Sequence, residues 1–431
     1  MGGKKTPTGK SNTGSKVPGN VPRRDFLRRG LAAGVGAAVV GVGATARGEE
    51  LGIPEWSRKY GPGVADKTYG APSRFEAGVA RKWLPWLQAS PQSSASFAPL
   101  HDLTGTVTPN GLFFERHHGG VPDVNPAGHR LVIHGMVARP LVFTIDEIKR
   151  LPSISRFYFI ECAANTVLEW KRAQMSSVQF THGLLSQSEW TGVPLKILFE
   201  EVGIKDAAAW FLAEGADAAA YARSIPVEKA FDDAMLAYAQ NGEALRPEQG
   251  YPLRLILPGW EGSANVKWLR RIKLGDKPWN TREETARYSD LMDDGKARQF
   301  TFVQEAKSVI TDPCPENPLK AKGYHTISGL AWSGRGRITR VDVSFDGGRN
   351  WLESTLQDPV RPKSLTRFSI PWTWNGEEAL LQSRATDESG YVQPTVSQLR
   401  RVRGDNSLYH NNMITTWHVK PNGEVLNVQL D

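Results

Sequence analysis

Cysteine is scarce in this chain, and two common cofactor signatures are missing from it. Its 431 residues include only two cysteines, Cys162 and Cys314. There is no Cys-x-x-Cys-His motif, which excludes a covalently attached c-type haem, and there is no Gly-rich dinucleotide loop. The two thiols could form a disulfide in an oxidising compartment. If Cys162 instead binds a metal it cannot pair, and we expect both thiols to be free.

Long apolar runs are also missing, and the excess of basic charge is confined to one end of the chain. The weakly apolar run at residues 30–44 is rich in Gly, and at about 15 residues it is too short to span a bilayer stably. The formal net charge is +8, but residues 1–46 carry eight Lys or Arg and one Asp. The rest of the chain is therefore nearly neutral, which indicates neither a nucleic-acid nor a membrane partner.

The N-terminal segment has the features of an export signal. Arg23 and Arg24 belong to a twin-arginine pattern, the weak apolar run follows, and residues 44–46 form an A-x-A cleavage site. We therefore predict a twin-arginine signal peptide over residues 1–46 and a periplasmic location. Because this pathway carries folded cargo, the signal also favours a cofactor that is inserted before export.

The remaining chain is too long for one compact domain and divides into three parts by composition. Residues 47–96 are rich in Pro, Gly and Ser, and predict an irregular N-terminal arm. Strands and short helices alternate over residues 97–299, whereas residues 300–431 contain evenly spaced short strands. The sequence therefore predicts an α+β protein in which a mixed α/β domain precedes an all-β, immunoglobulin-like domain.

Residues 156–162 are the most informative stretch of the first domain. A short helix with Asp146 at its N-cap is predicted just before them. Residues 156–160 are aromatic and β-branched, which is typical of a half-buried strand, and Cys162 stands where that strand ends. Asn165 suits the turn that follows. A thiolate at this position could ligate a soft metal or attack an electrophile, while a small buried hydrophobe is the alternative.

The Cys-Ala-Ala-Asn run that begins at Cys162 resembles the metal-binding strand end of the sulfite oxidase family. In that family the Cys is the only protein ligand of a molybdenum–molybdopterin cofactor. Further segments match the family in order and spacing, and together they cover residues 97–425. The resemblance implies that Cys162 binds molybdenum, and that residues 97–299 form a molybdopterin-binding catalytic domain.

The resemblance also implies which residues hold the cofactor. A pterin needs acceptors for its paired N–H donors, and its phosphate needs convergent cations and N–H groups. The segments that match the family at such positions contain Phe114, Glu115, Arg116, His117, His118, Asp217, Gln249, Arg254, Asn265, Val266 and Lys267. Arg116 is also implied as a catalytic residue beside Cys162. Tyr288 is the third implied catalytic residue, with a structural tyrosine as the alternative.

Three positions depart from the family's pattern. His117 replaces an Asn, Gln249 replaces a His, and Val167 stands where relatives that oxidise free sulfite carry an anion-binding Arg. A hydrogen bond to a charged group is worth about 1.5–3 kcal/mol, so losing this Arg should weaken the binding of a small anion. Either Lys171 or Arg172 compensates, or the substrate is not free sulfite.

The second domain resembles the dimerisation domain of the same family. Val341, Val343 and Phe345 alternate before an Asp-Gly-Gly turn, which is a strong hairpin signal. Residues 329–351 carry the resemblance and imply a homodimer that forms through this domain. Without the resemblance, these residues would indicate a binding module. Cys314 lies between two prolines in the linker before the domain, and we expect it to be structural.

Within the family, the segment after Cys162 is most similar to that of the molybdenum subunits of sulfane dehydrogenases. This resemblance implies oxidation of sulfane sulfur bound to a carrier-protein cysteine. Since no haem motif is present, it also implies a separate dihaem cytochrome c subunit that accepts the electrons, in a heterotetramer. The alternative within the same fold is a periplasmic sulfite dehydrogenase that acts on free sulfite. An alternative of another class is an exported binding protein without enzymatic activity.

Overall fold

The structure of the protein is a computed structural model that describes residues 70–87, 90–292, 294–405 and 407–430. The predicted signal peptide and the predicted arm up to residue 69 lie outside these ranges. Pro72–Asp431 form one compact unit. In the part of the chain that is described, no helix is both long and apolar enough to cross a membrane.

The first half of the described chain consists of short strands, short α-helices and single turns of 3₁₀-helix. Its strands are β1 (Ala95–Ser96), β2 (Glu115–Arg116), β3 (Arg130–Gly135), β4 (Leu141–Thr144), β5 (Ile154–Glu161), β6 (Leu185–Pro194), β7 (Trp210–Gly215), β8 (Ala222–Pro226), β9 (Met235–Gln240), β10 (Glu243–Ala244), β11 (Arg254–Ile256), β12 (Leu269–Gly275), β13 (Asp290–Leu291) and β14 (Ala297–Arg298). Its helices are α1 (Ile145–Arg150), α2 (Val178–His182), α3 (Leu195–Val202), α4 (Glu228–Asp232) and α5 (Arg282–Ala286). The 3₁₀ turns are Arg74–Glu76, Pro85–Leu87, Asn110–Leu112, Val167–Glu169, Pro247–Gln249 and Gly262–Ala264.

Two five-stranded sheets organise this half. One has the strand order β10-β9-β6-β5, with β11 also paired to β9, and the other has the order β4-β3-β12-β7-β8. Strands β3 and β12 run parallel, whereas the other neighbours in these sheets are antiparallel. A shared apolar core contains side chains from both sheets and from α3, among them Ile133, Phe199, Phe211 and Leu236. Burying these side chains is the main force that holds the two sheets together.

The start of helix α1 corrects one sequence prediction. The Thr144 hydroxyl accepts a hydrogen bond from the N–H of Glu147 at 3.1 Å, and the Glu147 carboxylate accepts from the N–H of Thr144 at 2.8 Å. This reciprocal capping box satisfies two free N–H groups at once. The predicted N-cap role of Asp146 is therefore wrong, because Thr144 performs it.

The second half is a sandwich of two antiparallel sheets with one added helix. Its elements are β15 (Lys307–Asp312), β16 (Gly323–Trp332), β17 (Ile338–Ser344), β18 (Leu352–Glu353), β19 (Thr355–Leu356), β20 (Thr366–Trp374), β21 (Ala379–Asp387), α6 (Val396–Arg403), β22 (Thr416–Val419) and β23 (Val425–Val428). One sheet has the order β15-β16-β20-β19 and the other has the order β18-β17-β21-β22-β23. The predicted fold class, a mixed domain followed by an all-β sandwich, is confirmed.

The backbones of the two halves touch at a pair of glycines. A Cβ atom added at Gly259 or at Gly334 would overlap with the carbonyl oxygen of the other glycine. Gln304 joins the same contact, because its N–H donates to the Gly259 carbonyl at 3.0 Å and its carbonyl accepts from the N–H of Gly334 at 2.7 Å. Since neither position has room for a side chain, the first half is held directly against the sandwich.

Candidate active site

The thiol of Cys162 lies where strand β5 ends in a tight turn. The Cys162 carbonyl accepts from the N–H of Asn165 at 2.8 Å, which closes the turn. The residue with left-handed backbone is Thr166, at φ 67°, and not Asn165 as its residue type suggested. The Cys162 residue is 9% exposed and faces a cavity. The turn therefore directs the thiol away from the solvent and into an enclosed space.

Asn165 holds this turn with both ends of its side-chain amide. Its Nδ2 donates to the Glu161 carboxylate at 2.9 Å, and its Oδ1 accepts from the N–H of Leu184 at 3.1 Å. The amide thus ties the end of β5 to the residue that precedes β6. Its structural role is to fix the position of Cys162, since both ends of a buried amide need partners.

The electrostatic surroundings of Cys162 favour a metal ligand over a free nucleophile. Burial raises the pKa of the thiol, and the N–H of Ala164 and the charge of Arg116 only oppose this effect. A free thiol with a raised pKa stays protonated at neutral pH and is a poor nucleophile. A bound soft metal would remove the proton outright, because a coordinating thiol is deprotonated.

A cavity of about 680 Å³ opens beside Cys162. The cavity brings together twelve of the thirteen site residues named from the sequence. They are Phe114, Arg116, His117, His118, Cys162, Asp217, Gln249, Arg254, Asn265, Val266, Lys267 and Tyr288. The segments that carry them are distant in sequence and meet here because both sheets and the α5 region border the same space.

Glu115 is the site residue from the sequence prediction that does not line the cavity. It lies behind the wall, where its carboxylate pairs with Arg81 and contacts His117 Nε2 at 2.8 Å. Glu115 and Arg116 are neighbours in strand β2, and successive side chains of a strand point to opposite faces. Because Arg116 faces the cavity, Glu115 faces away from it and orients His117 from behind.

Arg254 and Lys267 form a buried cationic wall. The Arg254 guanidinium donates to the carbonyls of Gln249 at 2.9 Å and Asn265 at 3.2 Å, while its Nε has no partner. The Lys267 ammonium donates to the Arg116 carbonyl at 3.2 Å. Among the described residues, no carboxylate forms an ion pair with Arg254 or Lys267. The charges of Asp217 and Glu248 act on Lys267 only from a longer distance. Two buried cations thus have no directly paired carboxylate, which is unfavourable unless an anion binds beside them.

The lowered pKa values of the two cations of this wall also indicate that their charged forms lack a partner. Burial lowers the pKa of Arg254 to about 9, and burial together with the charge of Arg254 lowers the pKa of Lys267 well below its usual value. Asp217 lies on the same cavity and accepts from the N–H of Tyr221 at 3.0 Å. Carboxylate oxygens can accept further N–H donors. The donors and acceptors therefore fit a ligand with an anionic group near the cations and ring N–H groups near Asp217.

Two neutral histidines border the same space. Burial, followed by the charges of Lys267 and Arg116, lowers the pKa of His117 to about 2. Burial, followed by the charge of Arg116, lowers the pKa of His118 to about 3, and its ring stacks on Tyr221 at a centroid distance of 5.1 Å. Both rings are therefore uncharged at neutral pH and serve as hydrogen-bonding groups.

Because both histidines are neutral in the folded protein, we expect acid to lower the free energy of unfolding of the ligand-free protein. Unfolded histidine binds a proton near pH 6.5, whereas folded His117 and His118 bind one only near pH 2 and 3. The unfolded state therefore binds more protons between about pH 3 and 6.5, and the free energy of unfolding should fall as the pH falls through that window. Urea unfolding at a series of pH values checks this. His118→Gln should flatten the slope, and an unchanged slope would contradict the neutral state of His118.

Tyr288 lies in a buried cluster that the sequence did not reveal. The Arg223 guanidinium lies 4.4 Å from the centre of the Tyr288 ring, and the Tyr409 ring lies 5.3 Å away on centroids. Burial, followed by the charge of Tyr221, raises the pKa of Tyr288 well above its usual value. Its hydroxyl therefore stays protonated at neutral pH, as a hydrogen-bond donor at the cavity.

Arg223 is held by carboxylates on the side away from the cavity. It pairs with Glu261, and both side chains are fully buried. Burial alone would lower the pKa of Arg223, but the Glu261 charge raises it above the usual value. His410 Nε2 lies 3.0 Å from the other Glu261 oxygen. Arg223 is the single charged residue of the buried strand β8, and this is a feature by which the sequence could have revealed it. His410 lies far from Glu261 in the sequence, so no local pattern indicates their contact.

Neither candidate compensating cation lies at the cavity. Lys171 and Arg172 are exposed, and the cavity lining includes neither of them nor Val167. In the part of the chain that the structure describes, the Arg and Lys side chains of the lining are Arg116, Arg254 and Lys267. The guanidinium missing at position 167 is therefore not replaced from the segment that follows Cys162.

Comparisons with known proteins agree with this arrangement. The family model described as oxidoreductase molybdopterin binding domain matches residues 118–283, and the model described as Mo-co oxidoreductase dimerisation domain matches residues 298–417. The sulfite oxidase of Gallus gallus is 31% identical over 78% of this chain and 77% of its own length. The crystal structure of the sulfane dehydrogenase SoxCD from Paracoccus pantotrophus superposes with a TM-score of 0.86, at 52% identity, over 88% of this chain and 98% of that one.

Other relatives are longer proteins. An NADH nitrate reductase of Solanum lycopersicum is 32% identical over 67% of this chain, which spans 36% of that protein. For an NADH nitrate reductase of Ulva prolifera the identity is 28%, and the chain spans 40% of it. The similarity to these proteins thus concerns roughly the molybdopterin-binding and dimerisation parts of larger enzymes.

Fold and site together define a molybdopterin-dependent oxidoreductase. Its cofactor is molybdenum–molybdopterin. The cavity fits this group, since the unpaired cations suit its phosphate, Asp217 suits the N–H groups of the pterin, and the buried thiol suits a soft metal. The chain belongs to the sulfite oxidase family.

Proposed function

We propose that this protein oxidises sulfane sulfur bound to a cysteine of a carrier protein. The observation that carries the proposal is the charge of the cavity. Arg254 and Lys267 are the cations that suit the cofactor phosphate, which leaves Arg116 as the cavity-lining guanidinium for the substrate. A site with one guanidinium binds a small free oxyanion weakly, but it can accept a sulfur chain that is tethered to a protein. The similarity to a sulfane dehydrogenase over 98% of that chain supports the same substrate class.

In this proposal each cavity residue has a defined task. Cys162 ligates the metal, Arg254 and Lys267 bind the phosphate, and Asp217 accepts from the pterin. The bound cofactor supplies a two-electron oxidation of sulfur in which water provides the oxygen. Arg116 stabilises negative charge that develops on the substrate, because a preoriented cation in a dry site interacts strongly with it.

Electron transfer and assembly complete the proposal. A dihaem cytochrome c subunit would accept the electrons, since the sequence contains no haem-attachment motif. A homodimer would form through residues 300–431, which contain nearly all of the match to the dimerisation domain, giving a heterotetramer with the cytochrome. The twin-arginine pattern over residues 1–46 supports export to the periplasm. No nucleic acid or membrane takes part in this proposal.

Val167→Arg tests the substrate class. The wild-type protein, assayed by cytochrome c reduction, should oxidise carrier-bound sulfane sulfur and turn over free sulfite poorly. Val167 lies five residues after Cys162 and just outside the cavity lining, and a guanidinium that extends from this position into the cavity is worth about 1.5–3 kcal/mol. Its KM for free sulfite should therefore fall by about tenfold or more, since about 1.4 kcal/mol corresponds to a factor of ten.

Lys171→Gln is the matched control, because Lys171 is an exposed cation of the same segment outside the cavity. It should leave the KM for both substrates unchanged. Rapid oxidation of free sulfite by the wild type without a carrier would favour a sulfite dehydrogenase, and the Gallus gallus relative is named a sulfite oxidase. An unchanged KM for sulfite in Val167→Arg would contradict the explanation from charge.

A further inference from the structure

The residue that precedes the thiol is held by two side chains of the second half of the chain. Lys307 Nζ donates to one oxygen of the Glu161 carboxylate at 2.9 Å, and Trp332 Nε1 donates to the other at 2.7 Å. Glu161 and Lys307 are each 2% exposed, and Trp332 is fully buried. Because both carboxylate oxygens have partners, Glu161 is fixed from the side opposite the cavity.

The same lysine also contacts the far end of the Cys162 turn. Lys307 Nζ donates to the Thr166 hydroxyl at 2.9 Å, and Asn165 Nδ2 shares the Glu161 oxygen that Lys307 contacts. One ammonium group thus connects the residue before Cys162 with the left-handed residue that ends the turn. Any movement of Lys307 would change both ends of the segment that presents the thiol.

Trp332 belongs to a motif that resembles the family's dimerisation domain, but its side chain contacts Glu161 in the first half of the same chain. It is the Trp of the Gly-x-Ala-Trp-Ser-Gly run, and its indole N–H is directed at Glu161, inside this chain. Two residues later, Gly334 makes the backbone contact with Gly259. Gln304 Nε2 donates to the Glu161 carbonyl at 3.2 Å. The second half therefore contacts the base of the cavity through several neighbouring groups.

We propose that Lys307 and Trp332 are positioning residues for the metal ligand Cys162. They act through Glu161, by fixing the end of β5 and by neutralising a carboxylate that neighbours the thiolate. The second half of the chain would then determine the geometry and the electrostatic surroundings of the metal site, besides any role in assembly. The inference rests on Cys162 as the ligand and is independent of the substrate.

Three variants separate positioning from simple structural support. Lys307→Met leaves a buried carboxylate unpaired beside Cys162, whereas Lys307→Met with Glu161→Gln removes both charges. Trp332→Phe removes the indole N–H together with part of the buried ring and keeps an aromatic side chain. The readouts are molybdenum content after purification of the full chain and the Mo(V) EPR spectrum after partial reduction with dithionite.

We expect Lys307→Met to bind molybdenum roughly 10–100-fold more weakly, as is usual when a partner of a metal ligand is removed. The double variant should recover most of the metal, because a neutral pair avoids the unpaired charge. Its EPR g-values should nevertheless stay shifted from the wild type, since no ammonium joins the two ends of the turn. Trp332→Phe should retain metal and show a smaller shift in the same spectrum.

Asp342→Asn is the matched control for loss of stability alone. Asp342 is a 3% exposed carboxylate of the same half, paired with Arg340 and Arg384, and no contact to the Cys162 turn is found in the described ranges. It should lower the unfolding temperature and leave the EPR spectrum unchanged. Wild-type metal content and spectrum in all three variants would overturn the inference, and so would the same spectral shift in Asp342→Asn. If Cys162→Ser kept the wild-type spectrum, the ligand assignment itself would fail.

Discussion

Replacing Cys162 by Ser is expected to lower sulfur oxidation by more than about a hundredfold. Loss of an outer partner of a metal ligand already costs about 10–100-fold, and this change removes the ligand itself. The oxygen of serine is harder than sulfur and is protonated at neutral pH, so it binds a soft metal poorly. The turn should survive, because Asn165 and the backbone hold it and a serine oxygen can accept from the N–H of Ala164 in place of the sulfur. Molybdenum content, turnover and unfolding temperature, measured on one preparation, check the three statements.

Cys314→Ser is the control for this experiment. Cys314 is the other cysteine of the chain, is also free and is fully buried, but it lies outside the cavity. Its replacement should leave molybdenum content unchanged. Full activity in Cys162→Ser, or an equal loss of metal in Cys314→Ser, would contradict the assignment of Cys162.

Lys267→Met is expected to have opposite effects on the two forms of the protein. With cofactor present, it removes a hydrogen bond between charged groups worth about 1.5–3 kcal/mol, so the affinity for the cofactor should fall roughly 10–150-fold. Without cofactor, it removes a buried amine that has no directly paired carboxylate among the described residues, so the free energy of unfolding at pH 7 should rise. Apoprotein from a host that cannot make molybdopterin allows both measurements, by reconstitution and by urea unfolding.

The pH dependence of the same variant provides an internal check. The pKa of Lys267 is well below its usual value in the folded protein. Between that lowered pKa and about 10.5 the unfolded state binds the extra proton, so the wild-type apoprotein should become more stable as the pH rises through this window. Lys267→Met should lose this part of the slope. Lys196→Met, at an exposed position of α3, should change neither affinity nor slope. Wild-type affinity in Lys267→Met would exclude a phosphate contact.

Local sequence patterns predicted the elements that depend on near neighbours. In helix α3 (Leu195–Val202) the apolar residues recur on one face and bury Leu195, Leu198 and Phe199, a pattern that is visible in the sequence. The β17–β18 hairpin follows from alternation before an Asp-Gly-Gly turn. The N-cap of α1 was predicted wrongly because both Thr144 and Asp146 are residue types that cap helices. Thr144 is the N-cap, because only this position forms a capping box with Glu147.

Most residues that line the cavity could be named from the sequence, because the matched motifs keep the order and spacing of the family's segments. A motif does not contain the direction of each side chain, and in strand β2 the Glu115 side chain points away from the cavity that Arg116 faces. Tyr409 and His410 could not be named at all. They reach the cavity region from the far end of the second half, and such long-range contacts follow from packing and have no local pattern.

The contact between Gly259 and Gly334 makes the two halves of the chain a matched pair and not interchangeable modules. A second half taken from another protein would fit this first half only if it carried glycine, in the same backbone position, opposite Gly259. Exchanging the second half to alter assembly would therefore also shift Gly259, which precedes the cavity-lining residue Gly262 by three positions. Evolution by shuffling of these two parts is restricted accordingly, since assembly and cofactor binding are inherited together.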